Sequence, residues 1–293
     1  MTRQEKRIRA YVEGTPALPA TVTRVIEICN NPKSTPNDLN TVIRLDPVLT
    51  ARIMRLINSS YYGIPQRVNS MVRAIILLGM NTVKNVALSA AVLVDYRGSS
   101  IFPALDDMAF WRHSLAVAVI ARLLGRRADI RLGESAFLAG LMHDIGKIPM
   151  NAAYPEVYKQ VVGGVQNHNL ESRTVEWELF VFDHAWVGGL MCDTWNLGDD
   201  VRDPILYHHD PEAAPNVHKP VVRTVHHADI IARKLGYDTL KFRPQEAHRA
   251  KELDQLDIAN EDIEQIRKSA DEEIRKAEVF LNLDHPNDKD GNT

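Results

Sequence analysis

Apolar residues recur at intervals of three and four along nearly the whole chain, and convincing strand-type alternation is absent. A period near 3.6 presents one continuous apolar face only on a helix, so linked short helices in an α-helical bundle are the expected fold. Val22, Val25, Ile26 and Ile28 carry the pattern after Leu18-Pro19. Leu39, Val42, Ile43 and Leu45 continue it, followed by Leu49, Ile53, Leu56 and Ile57. Local chemistry marks the boundaries. Gly14-Thr15-Pro16 ends a first helix over 3–12, and Asn31-Pro32 stops the second. Thr35 is a candidate N-cap with Pro36 in the first turn and Asp38 favouring the helix dipole. Asp46 caps the next helix, and Gly63 closes the polar turn that follows it. Asn69-Ser70 cap a helix carrying Ile75, Ile76, Leu77 and Leu78, which Gly79-Met80-Asn81-Thr82 breaks before Val83–Val94.

Past a connector at Arg97-Gly98-Ser99-Ser100, a long helix is read from Asp106 to Leu124. Glu134-Ser135 begin a helix that ends at His143-Asp144. The stretch 150–173, with His168, reads as a variable connection. Thr174-Val175-Glu176 starts one long helix that contains Asp183-His184 and ends at Trp195-Asn196-Leu197. Short helices follow over Val201–His209 and Val217–Leu235. Asp262–Leu283 is a charged helix with an apolar stripe of Ile263, Ile266, Ala270, Ile274 and Val279. Its heptad pattern is too short for a coiled coil, so it is expected to dock on the body. His285 to Thr293 is polar and expected to fray. No repeat or low-complexity tract interrupts the series.

The 293 residues and 45% hydrophobic content support one large or two smaller cores. No apolar run is long enough to span a bilayer, and the charged N-terminus lacks the apolar segment of a signal peptide. Cys29 and Cys192 form no CxxC pair and read as reduced core thiols of a cytoplasmic protein. A formal net charge of -3 gives no general case for nucleic-acid binding.

The chemistry gathers around Leu138-Ala139-Gly140-Leu141-Met142-His143-Asp144-Ile145-Gly146-Lys147. An apolar helix ends in an imidazole and a carboxylate that can reach one ion beside its last turn. Gly146 is read as the residue that lets the chain leave the helix with positive φ. Lys147 adds a fixed positive charge. In chain order the ligand-type residues are His113, His143, Asp144, His184, His208, His209 and Asp229, each on a helix or at its end. A mixed imidazole and carboxylate shell suits one or two divalent ions of iron, manganese, nickel or zinc better than calcium or magnesium. Asp144 could bridge two ions, which would generate a hydroxide and clamp a phosphate, with Lys147 stabilising the phosphate charge. Singly, each residue also has an ordinary reading. His113 and His184 could be helix histidines, and His208-His209 a C-terminal cap. Asp229 could bond to His226 one turn back. His168, His218, His226 and His285 fit no ligand spacing.

The order His113, His143-Asp144, Asp229 resembles the H…HD…D metal signature of HD-domain phosphohydrolases. Leu18-Pro19, Asp46-Pro47, the Leu49 to Ser60 stretch and Ala74-Ile75-Ile76-Leu77-Leu78-Gly79 resemble the HDOD family, an HD-related output domain of bacterial signalling proteins. The likeness covers roughly residues 15–240. It implies an all-α fold: an N-terminal helical subdomain over 1–100 packed on an HD-like core over 101–240, with a C-terminal helix and tail over 241–293. It also implies a regulatory role. Many HDOD members have lost the metal ligands, whereas this chain keeps them. His184, His208 and His209 match further ligands of the related HD-GYP phosphodiesterases. The glutamate and Gly-Tyr-Pro loop that follow the paired histidines there are replaced here by Asp210-Pro211-Glu212-Ala213. The position of an additional glutamate found in some of them is Ala109, so no third metal is expected.

Two functions follow from these features. The first is a signalling module with a retained metal site, non-catalytic or weakly catalytic, that acts through a signalling protein partner. The alternative is a metal-dependent phosphohydrolase or phosphodiesterase acting on a nucleotide or cyclic nucleotide, with Asp144 and Lys147 as the catalytic pair. No membrane association is expected, and a nucleic-acid partner ranks third because basic residues are scattered.

Overall fold

A computed structural model describes residues 1–96, 102–168, 170–240 and 260–282, the last segment without the side chains of 260–264. The Arg97 to Ser100 connector, His285 and the terminal tail lie outside the described residues. Helix is the only regular secondary structure among those described, as the periodicity requires. The chain divides into two compact units. One takes Met1–Pro16 with Gly98–Asp271, the other Ala17–Arg97 with Glu272–Thr293.

The smaller unit holds α2 (Ala20–Asn30), α3 (Pro36–Ile43), α4 (Pro47–Ile57), α5 (Met71–Leu78) and α6 (Met80–Asp95). Thr35, Asp46 and Ser70 each accept a backbone N–H from the first turn of the helix they precede. Gly79, at φ 84, separates α5 from α6, and the two axes differ by 115°. The resulting corner lets α6 pack against α2, α4 and α5 and bury nearly its whole length. Not every apolar residue of the stripes faces inward: Leu45, Ile76 and Leu77 are exposed.

The larger unit is built on the pair α7 (Asp107–Ala128) and α8 (Ile130–Met142), which α14 (Lys219–Lys234) crosses. Asp106 and Asp129 cap the two helices. Glycines set their close approach: a Cβ on Gly140 would lie 2.9 Å from the Cα of Ala118, and one on Gly133 2.5 Å from the side chain of Arg126. Helix α7 is long and apolar enough to cross a bilayer, which the sequence reading did not expect. However, 72% of its apolar window is buried inside the protein, as in a core helix. Around this pair lie α9 (Lys147–Ala153), α10 (Pro155–His168), α11 (Ser172–Phe180), α12 (His184–Thr194) and α13 (Asp199–Tyr207).

Helix α1 (Arg3–Glu13) packs on α9 and α12 and belongs to this larger unit. Arg7 donates to the carbonyl of Ala153 at 2.6 Å and lies over the ring of Tyr154, and Arg9 lies over Trp186.

Two expectations change. The stretch 150–173 is mostly helical, because Tyr158, Val161 and Val165 form a buried stripe behind Pro155. The single long helix expected from Thr174 to Trp195 is two. Val181 adopts φ 65 and ends α11, and Asp183 starts α12 by accepting the Trp186 N–H at 2.9 Å. At the C-terminus, α15 (Asn260–Ala277) buries Ile266, Ala270 and Ile274. It passes into a 3-10 turn over Glu278–Asn282, where Val279 is half-buried.

Candidate metal centre

His113 comes from the second turn of α7, and His143 and Asp144 from the turn after α8. Lys147 begins α9, and His184 begins α12. His208 and His209 follow α13, and Asp229 lies on α14. All seven candidate ligands converge. His113 Nε2 lies 3.3 Å from His143 Nε2, 3.5 Å from Asp144 Oδ2 and 3.4 Å from Asp229 Oδ1. His143 Nε2 lies 3.4 Å from Asp144 Oδ2 and 4.0 Å from Asp229 Oδ1. On the other side, His184 Nε2 lies 3.1 Å from Asp144 Oδ1 and 2.9 Å from His209 Nε2. The atoms form two groups of metal-ligand spacing: His113 with His143 and Asp144, and His184 with His208 and His209. Asp144 turns one oxygen to each.

The rings are held so that Nε2 points inward. Nδ1 of His113 bonds to the carbonyl of Tyr237 (2.8 Å), Nδ1 of His143 to that of Gly140 (2.8 Å) and Nδ1 of His208 to that of Ile205 (2.7 Å). A carbonyl only accepts, so Nδ1 carries a proton in all three; Nε2 of His143 and His208 is then left as a lone pair, while Nε2 of His113 also bonds to the Asp229 carboxylate. Nδ1 of His184 sits 2.6 Å from Glu176 Oε2. Nε2 of His208 is buried with no hydrogen-bond partner, and Nε2 of His143 faces Nε2 of His113 at 3.3 Å. Unpartnered buried acceptors aimed at one point are costly, and a cation relieves that cost. The donor set therefore fits a divalent metal, and the Nδ1 contacts are the outer shell that orients such ligands.

Electrostatics separates the ligands. Burial works against charge on His113, but the hydrogen bond and charge of Asp229 and the charge of Asp144 raise its pKa. Burial likewise opposes charge on His184, yet Glu176 and Asp144 raise it to about 9. For His143 burial wins and lowers the pKa to about 4. Burial, with the neighbouring histidines, holds His208 and His209 well below the usual range. Asp144 is ionised despite its burial, through Lys147, His143 and His184, and Asp229 through Arg233 and His113.

Lys147 is itself buried and donates to Asp144 Oδ2 at 2.6 Å. Gly146 does not have positive φ. Its φ is -66, and its lack of a Cβ serves close packing: a Cβ there would lie 2.0 Å from the carbonyl oxygen of His184 and 2.5 Å from the amide of Gly188. Asp229 does not pair with His226. It meets His113 and, at 2.9 Å, Arg233 one turn on, while His226 bonds to the carbonyl of His208. His218 pairs with Asp203 at 2.7 Å.

Sequence reasoning missed Glu176, Tyr158 and Arg233. The spacing of four between Asp229 and Arg233 is a helical ion-pair signal that could have been read. Glu176 belongs to no motif.

The sequence profile described as the HDOD domain matches residues 15–211. An HDOD domain protein of unknown function from Geobacter sulfurreducens is 26% identical in its crystal structure, with TM-score 0.72, covering 94% of this chain and 97% of that one. A candidate phosphohydrolase from Shewanella amazonensis SB2B shares the fold at 23% identity and TM-score 0.73, covering 94% of this chain and 98% of its own. An uncharacterized protein of Treponema pallidum (strain Nichols) is 23% identical over 241 residues, 81% of this chain. The matched part is 46% of that relative, so the chain spans about half of its length.

Proposed function

Because the chain belongs to the HDOD domain family, we propose that it is a regulatory module of bacterial signal transduction whose retained histidine and aspartate cluster holds one or two divalent ions, with little or no catalytic activity of its own. His113, His143, Asp144 and Asp229 would hold one ion, and Asp144, His184, His208 and His209 the other. Iron, manganese, nickel or zinc suits this shell. The observation that carries the non-catalytic reading is the placement of Lys147. Its ammonium is buried against Asp144 Oδ2, where it orients the carboxylate rather than reaching outward to a substrate phosphate. A signalling protein is the proposed partner, and two unpaired thiols, Cys29 and Cys192, suit a cytoplasmic setting.

One observation favours a second reading, a metal-dependent phosphohydrolase acting on a nucleotide or cyclic nucleotide. Asp144 presents one oxygen to each histidine group, as a bridging ligand does. Two ions at such positions supply Lewis acidity and a nucleophile from water at neutral pH. Asp144, Asp229 and Glu176 are three buried carboxylates, with Lys147 and Arg233 against them. Two divalent ions would leave this centre with excess positive charge, which an anionic phosphoester or nucleotide would neutralise.

A panel of nucleotides, cyclic nucleotides and an aryl phosphate separates the readings, run on wild type, Asp144→Ala and Lys147→Ala with metal quantified in each. The regulatory reading expects no turnover by wild type. Turnover lost in both variants, with metal lost only from Asp144→Ala, rejects it.

A further inference from the structure

Glu176 and Tyr158 form a buried polar pair behind His184 that no sequence motif announces. Glu176 and His184 are both 0% exposed. The carboxylate accepts from the His184 backbone N–H (3.0 Å) and from its ring Nδ1 (2.6 Å) through Oε2, and from the Tyr158 hydroxyl (3.0 Å) through Oε1. In an unbroken helix these two residues, eight apart, would be separated by about 12 Å along the axis. The break at Val181 folds α12 back so that they meet, and it places a β-branched residue at φ 65 to do so. Such a conformation is strained for a side chain of this kind, so the surrounding structure enforces it.

The consequence lies in how the four anchored histidines differ. His113, His143 and His208 give Nδ1–H to neutral carbonyls. Only His184 among them gives it to a carboxylate. A carboxylate partner makes the far nitrogen a stronger electron donor and fixes the ring. The His113 group also has Asp229 beside its share of Asp144, while the His184 group has three imidazoles and only a share of Asp144. We propose that Glu176 is a positioning residue that supplies this missing negative charge one bond away, through His184, and so selectively tightens the ion held by His184, His208 and His209. Tyr158 holds the second carboxylate oxygen in place.

This inference rests on the metal reading above, and the test keeps the two apart. Metal-depleted full chain is titrated with Co(II), followed by its visible absorbance and by metal per chain. Wild type is expected to take up two ions, and uptake of one ion only overturns the selective role of Glu176 while leaving the metal reading standing. Glu176→Gln is nearly isosteric: its amide oxygen can still accept the Nδ1–H, the charge is lost, and its amide nitrogen donates to the Tyr158 hydroxyl instead of accepting from it. It should weaken one ion by about 10–100-fold, the ion that His184→Ala removes. The ion removed by His143→Ala should keep its wild-type affinity. If Glu176 only ties helices together, Glu176→Gln leaves both affinities unchanged or weakens both by one factor as the metal-free protein loses stability. Either result overturns the proposal. Should the glutamine variant not fold, Glu176→Asp, which retracts the charge by one methylene, must weaken the same ion. Wild type that binds no Co(II) refutes the metal reading itself. Two ions in wild type and two equally tight ions in Glu176→Gln refute the role of Glu176 alone.

Discussion

Gly146→Ala adds one methyl group at the start of α9 where there is no room for it. The new Cβ would lie 2.0 Å from the His184 carbonyl oxygen and 2.5 Å from the Gly188 amide. Side-chain carbons essentially never approach closer than 3.0 Å, so the α12 backbone must withdraw by 1 Å or more. Both obstacles are main chain in a capped helix, and neither can rotate aside. Overpacking costs typically 1–3 kcal/mol, and contact with rigid backbone puts this variant near ~3 kcal/mol. At about 2–4 °C per kcal/mol for a chain of this size, the melting temperature should fall by roughly 6–12 °C. Metal held through His184 should weaken too, because ligand distances tolerate only about 0.2 Å. The assay is thermal unfolding followed by circular dichroism, with Co(II) uptake measured on the same samples. Gly163→Ala in α10 is the control. Its Cβ meets nothing nearer than Asn167 at 3.7 Å, so it should stabilise the protein by about 0.5–1 kcal/mol through helix propensity alone. A Gly146→Ala protein melting within 2 °C of wild type and binding Co(II) normally would refute the close approach of α9 to α12.

Asp144→Ala leaves the buried Lys147 ammonium unpaired and should cost about 3–5 kcal/mol even without metal, measured by urea unfolding in chelator. Lys147→Met in the same background should recover part of that loss. In metal-free protein, stability should peak near pH 6.5. The raised pKa of His184 gives stability that is complete below about 6.5, the unfolded value, and is lost as pH rises toward about 9, and His113, also raised, adds to the same alkaline limb. The His143 pKa of about 4 makes stability fall again as pH drops from 6.5 to that value, and melting temperatures of wild type and His184→Gln across this range check that only the alkaline limb flattens in the variant. Val181→Gly, at an exposed position with φ 65, should stabilise the chain by about 1 kcal/mol, and a loss of stability there would contradict the assigned backbone. Cyclic-di-GMP should be cleaved slowly or not at all, since Asp210-Pro211-Glu212-Ala213 stands where the Gly-Tyr-Pro loop would be. Rapid metal-dependent turnover of that dinucleotide would contradict this.

The helical class, the caps at Thr35, Asp46 and Ser70, and the turn glycines Gly63 and Gly79 were all legible from the chain. Each depends on interactions within about four residues, and such interactions leave a trace in the order of side chains. The seven ligand-type residues could also be picked out, because imidazoles and carboxylates set into apolar helices are conspicuous wherever they fall. Their grouping was implied only by the likeness to the H…HD…D signature and by the bridging role read for Asp144, not by any local pattern. That His113 meets Asp229, that Asp144 turns one oxygen to each histidine group, and that Asp229 prefers Arg233 to His226 all depend on how α7, α8, α12 and α14 close together. Glu176 was hidden for the same reason. Its contact with His184 exists only because one valine takes a left-handed conformation between two helices that periodicity had joined into one. Gly146 shows the difference in a single residue. A glycine after a helix suggests a positive φ, yet here the backbone is ordinary and the constraint comes from a carbonyl 38 residues away in the chain, at His184. Local propensity is written in neighbouring residues, whereas the space beside a residue is defined only when distant segments have packed against it.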